Sequence, residues 1–118
     1  MKIAVHARNV RLSAAERARV VRRVEFALSQ FRDRVRQVSV SVADENARRG
    51  GIDKACRVLA RVAPLGDVVS EGAGATFPEA AGAAIDRTVR LISRNLGRII
   101  GRKKRRVSMA GDLAATDR

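Results

Sequence analysis

The sequence has no tryptophan and no tyrosine, one cysteine, one histidine, and three phenylalanines as its only aromatics. A lone Cys56 excludes an internal disulfide, so nothing points to an oxidising compartment and a cytoplasmic location is expected. His6 and Cys56 have no companions at metal-ligand spacing, and the carboxylates Asp44, Glu45 and Asp53 have no matching base. His6 therefore reads as a surface residue and Cys56 as a small core residue. Gly50-Gly51 is too short to cradle a phosphate. An enzyme is not expected, nor any cofactor, metal or small-molecule substrate. Long apolar runs are missing as well. The opening MKIAVHARN is interrupted at His6 and Arg8, too early for a signal-peptide core, and no stretch approaches the roughly 20 apolar residues that span a bilayer. No membrane partner is expected.

Negative charge is also scarce. Twelve acidic residues stand against 25 Lys and Arg, which leaves +13 on 118 residues. A field of that sign in so short a chain attracts polyanions, and a phosphate-rich partner is the first reading. The plainer reading is a compositional bias toward Arg and Ala that serves only solubility. With 46% apolar residues the chain can build one core, and at this length about 65% of the unfolded surface is buried on folding.

Alternation marks the strands. Ile3, Val5 and Ala7 share one side of a first strand over Lys2–Ala7, and Val38, Val40 and Val42 share one side of a second over Arg36–Asp44. The polar, glycine-bearing stretch Asn46–Asp53 reads as a turn region, followed by Cys56, Val58, Ala60 and Val62 facing inward on a third strand. Pro64–Asp67 is a tight connection, and Val68–Gly72 a fourth strand whose register small residues leave open. Ser13 with Glu16, and Thr76 with Glu79, are capping boxes that start two helices, the second with Pro78 in its first turn. These should end near Phe31 and near Ile100, the second fraying at its end because Gly97 and Gly101 each cost about 1 kcal/mol in a helix. The order βαβββα predicts an α+β two-layer sandwich: a four-stranded mixed sheet, both helices on one face, the first two strands parallel through a right-handed crossover. Residues 1–101 are expected to form this domain and residues 102–118 a basic, mobile tail, in a chain monomeric when free.

At 100° per residue, Ile85, Val89, Ile92, Leu96, Ile99 and Ile100 form the core stripe of the second helix. Arg87, Arg94 and Arg98, with Arg90 beside them, fall on the opposite side, an arginine ridge about 16 Å long that points toward Arg102 and Lys103. Ordinary solvated faces mix signs so that Glu and Lys pair at i,i+4; stacked like charges are mildly unfavourable without an anionic partner. On the first helix Val20, Val21, Val24, Ala27, Leu28 and Phe31 face the core, while Arg19, Arg22 and Arg23 face away with Phe26 among them. Phe26 has two readings: a ring that stacks on an unpaired base, or one half-covered by arginine stems.

Three pieces, in order and spacing, resemble the family of ribosome-associated inhibitors and hibernation-promoting factors, also named for modulation of sigma-54. They are the opening strand with Arg8-Asn9-Val10, the capped helix leading to Phe31-Arg32-Asp33-Arg34-Val35, and Ala83-Ala84-Ile85-Asp86 leading to Arg94-Asn95-Leu96. The resemblance covers residues 1 to about 102 and is to the short forms, which lack a dimerisation domain. It departs at Gly82, where the family often has an aromatic, and at Leu91, where Lys is common. The resemblance implies the βαβββα fold and a translation inhibitor that occupies the mRNA and tRNA channel of the small ribosomal subunit under stress. The rRNA phosphates would be contacted by Arg8, Arg19, Arg22, Arg23, Arg87, Arg90, Arg94, Arg98, Arg102 and Lys103. The alternatives are a general nucleic-acid or transcription-modulating protein, and a small enzyme.

Overall fold

In a computed structural model of the chain, residues 1–44 and 54–113 are described, with side chains described as far as residue 99. The elements are β1 (Lys2–Arg8), α1 (Ala14–Ala27), β2 (Val35–Asp44), β3 (Lys54–Val62), β4 (Gly66–Gly74) and α2 (Phe77–Leu113), with a single 3-10 turn at Ser29–Phe31. This is the predicted α+β order, and the sheet runs β1-β2-β3-β4. β1 and β2 are parallel, as a helical crossover requires, and the two hairpins that follow make antiparallel pairs.

One side of the sheet is apolar and carries both helices. Val38, Val40 and Val42 of β2 and Cys56, Val58, Ala60 and Val62 of β3 are buried against Val24 and Leu28 of α1 and Ile85, Ile92 and Leu96 of α2. The alternation of β4, open in the sequence, resolves with Val68 and Ser70 inward. Here α2 lies very close to the sheet. A Cβ on Gly72 would come within 2.5 Å of the Ala84 backbone N and 2.6 Å of the Ala80 backbone O, so only glycine lets the helix seat. Ala80, Ala81 and Ala84 supply the matching small face, all buried. Inside this contact the hydroxyls of Ser70 and Thr88 meet each other, and both lie within donating distance of the Ala84 carbonyl, at 3.1 and 2.9 Å. The buried polar groups are thereby satisfied.

The caps are where the sequence puts them. Glu16 N donates to Ser13 Oγ at 3.1 Å and Ser13 N to Glu16 Oε1 at 2.9 Å, a complete capping box. At α2, Glu79 N donates to Thr76 Oγ1, but the Glu79 carboxylate reaches one residue further back, to Ala75 N at 2.9 Å.

Both helix ends differ from expectation. α1 closes at Ala27 rather than Phe31: Ser29 Oγ donates to the Phe26 carbonyl, which competes with the helical ladder, and Phe31 then turns inward on the 3-10 segment. α2 continues past Ile100 to Leu113. Arg, Lys, Met and Ala beyond Gly101 are strong helix formers, and one glycine costs too little to stop such a run. The turn region expected at Asn46–Asp53 lies outside the described residues.

Candidate nucleic-acid interface

The arginines read from the sequence separate into three groups. Arg87, Arg90, Arg94 and Arg98 are all exposed on one flank of α2, with Ile85, Ile92 and Leu96 buried opposite. Arg87 Nη1 donates to the Glu71 backbone carbonyl of β4 at 3.1 Å. That bond holds Arg87 over the β4 edge. Edge strands invite pairing with other chains, and a cation above this one opposes it. Among the described residues no carboxylate lies within 4.0 Å of any of these four guanidinium groups.

On α1, Arg19, Arg22 and Arg23 are exposed as expected. Arg23 is not free, however: its Nη2 lies 3.9 Å from Asp86 Oδ1 on α2. The same guanidinium occupies the space that a Cβ on Gly82 would meet at 2.9 Å. Where the resemblance leads one to expect an aromatic at position 82, this chain seats an arginine from the neighbouring helix. Arg19 stands one turn after Glu16, whose carboxyl is held below the ordinary carboxylate range. The Ser13 backbone N–H is the main cause, the Ser13 hydroxyl the next, and Arg19 adds a smaller part. Phe26 is 84% exposed, so the reading in which arginine stems cover it is wrong: the ring stands bare on the helix surface.

Arg8 joins neither helix. It ends β1 on the open face of the sheet, just before Asn9 turns the chain at φ 60°, a conformation Asn tolerates. The strand register places His6, Ser41, Arg57 and Glu71 in one row across that face. A groove is lined by His6, Arg8, Arg57 and Glu71 from the strands and by Arg87 from α2. Arg57 is a basic residue that sequence reasoning misses, and only the register of three pairings reveals its neighbours. The open face is largely self-compensated: Arg57 Nε lies 4.0 Å from Glu71 Oε2 and Arg61 Nε 3.7 Å from Asp67 Oδ1. Arg102 and Lys103 fall on the part of α2 whose side chains lie outside the described residues.

The remaining described residues with reactive or ligating side chains stay dispersed, and Glu45 and Asp53 lie outside the described residues. His6 is exposed, Cys56 is buried, and Asp44 is taken by Lys54 Nζ at 2.9 Å. Burial pushes the Cys56 thiol up to about 11, which keeps it protonated and unreactive near neutral pH. Among the described residues no three His, Cys, Asp or Glu side chains are placed to hold a metal ion, and no helix is long and apolar enough to cross a membrane.

No family model and no curated protein matches this chain. Solved structures do. The N-terminal domain of Protein Y from Thermus thermophilus superposes with a TM-score of 0.65 at 21% identity, covering 80% of this chain and 98% of that one. A ribosomal subunit interface protein from Coxiella burnetii superposes with a TM-score of 0.64 at 13% identity, covering 82% and 99%. The fold is theirs across nearly their whole length, and the resemblance read from sequence motifs meets a matching architecture.

Proposed function

We propose that this chain is a ribosome-associated translation inhibitor. It binds small-subunit rRNA with the outward faces of α1 and α2, and blocks the mRNA and tRNA channel by occupancy during stress. In this reading residues 1–101 are the binding unit, residues 102–118 add basic charge, and the protein works in the cytoplasm, without a cofactor, as a monomer when free. The observation that carries the reading is the uncompensated row Arg87, Arg90, Arg94 and Arg98. On the open sheet face Arg57 and Arg61 each have a carboxylate beside them, whereas among the described residues this row faces no carboxylate. Arg87 to Arg98 spans about 16 Å of helix, which matches roughly five phosphates at 3.4 Å of duplex axis each. The names of the superposing proteins, one of them a ribosomal subunit interface protein, point to which RNA is meant.

The test is sedimentation of purified ribosomes with the wild-type chain and with Arg87→Glu, Arg94→Glu and Arg98→Glu combined. The wild type is expected in the small-subunit fraction and to inhibit translation in a cell-free system; the triple variant is expected to do neither. Duplex DNA as competitor tests the transcription-modulating alternative. Displacement from ribosomes by equimolar duplex would favour that alternative, and undiminished binding of the triple variant would remove the helix row from the mechanism.

A further inference from the structure

We infer that Phe26 is a base-stacking platform, so that the RNA bound by this chain presents an unpaired nucleobase to the outer face of α1. The inference rests on the RNA-binding reading and adds to it the kind of RNA. Phe26 is 84% exposed, whereas Phe31 and Phe77 are tucked against the core. One turn before and after it on α1 and the following 3-10 turn stand Arg22, Arg23, Ser29 and Gln30, with Arg19 two turns before; all five are exposed. With polar residues one turn before and after it, the ring makes no continuous patch of the size that protein partners dock on. A ring beside cations suits a nucleotide, with the base on the π-face and a neighbouring phosphate on a guanidinium group. Arg23 is turned aside to Asp86, which leaves Arg19 and Arg22, both on the N-terminal side of the ring, for the phosphates. A paired base hides its faces in the helical stack, so the platform selects unpaired RNA, which the arginine row by itself does not.

The chain's lack of tryptophan and tyrosine supplies the assay, because Phe26→Trp places a single indole at this position. Three polyanions are compared: single-stranded polyuridylate, duplex RNA, and inorganic polyphosphate, which has charge but no bases. The Phe26→Trp emission is expected to be quenched by polyuridylate and unchanged by polyphosphate, although both bind. Phe26→Ala is expected to weaken polyuridylate binding between about fivefold and about 150-fold, the range that one stacked base supplies. Its salt dependence and its polyphosphate affinity stay as in the wild type. Circular dichroism verifies that Phe26→Ala folds, as an exposed helix position allows.

Unchanged polyuridylate affinity of Phe26→Ala, or an equal loss on all three polyanions, overturns the stacking role. A silent indole with bound polyuridylate does the same. These failures are separable from failure of the RNA reading: if the wild type binds none of the three, both fall, and if it binds all three but ignores Phe26→Ala, only the platform falls.

Discussion

Two glycines, Gly72 packed against α2 and Gly82 within it, respond in opposite ways to one added carbon. At Gly72 the new Cβ would press on the Ala84 and Ala80 backbone, and neither atom can move without lifting α2 from β4. Gly72→Ala is therefore expected to destabilise by about 1–3 kcal/mol, the usual cost of overpacking. At Gly82 the new Cβ would meet only the far end of Arg23, which is half in solvent and free to rotate. Its ion pair with Asp86 contributes little at that exposure, while Ala replaces Gly within a helix, so Gly82→Ala is expected to stabilise by up to about 1 kcal/mol. Urea unfolding of both variants checks the opposite signs. Cys56 makes a further residue-level expectation. Because burial raises its thiol to about 11, iodoacetamide should label the folded protein very slowly near neutral pH and the urea-unfolded protein at an ordinary thiol rate. Rapid labelling in the folded state would contradict the placement of Cys56 in the core.

Among the elements, α1 depends on its cap. Ser13→Ala removes the hydroxyl that accepts from Glu16 N and is expected to cost about 0.5–2 kcal/mol. The other half of the box titrates. Glu16 is lowered in the folded chain, so its contribution is complete above the unfolded glutamate value, near about 4.3, and is lost as pH falls through the lower folded value. The stability of wild type minus Glu16→Gln should shrink over that acid window and stay flat above it, in urea melts carried from neutral into acid. Both caps are legible in the sequence because a cap is a local pattern, set within four residues at Ser13–Glu16 and within five at Ala75–Glu79. β4 is not, because after Val68 its inward positions are Ser70 and Gly72, residues that carry no hydrophobic signal and make sense only against the alanines of α2. The extent of α2 escapes a sequence reading for the opposite reason: Gly97 and Gly101 look like a stop, although the helix runs through both. The two core stripes can be read from 100° arithmetic, and with them which arginines face outward.

For the whole molecule the deciding quantity is where charge is left uncompensated, and sequence order hides that. Arg23 and Asp86 come from different helices, Arg57 and Glu71 from different strands, and only the fold brings each pair together. A net charge of +13 says that a polyanion is attracted; the pairing pattern says from which side. Counterion release turns this into a measurement, since each phosphate neutralised on a duplex contributes about 0.9 to the slope of log affinity against log salt, and on a single strand about 0.7. Arg57→Gln with Glu71→Gln removes a self-neutralised pair from the open sheet face and should leave that slope as it is. Arg94→Gln with Arg98→Gln removes two cations that no carboxylate compensates among the described residues, and should flatten it by about 1.4 on polyuridylate and about 1.8 on duplex RNA. Equal slopes for the two double variants would mean that the anion does not distinguish the helix layer from the sheet face. The attraction would then belong to the chain's overall charge and not to the row that α2 presents.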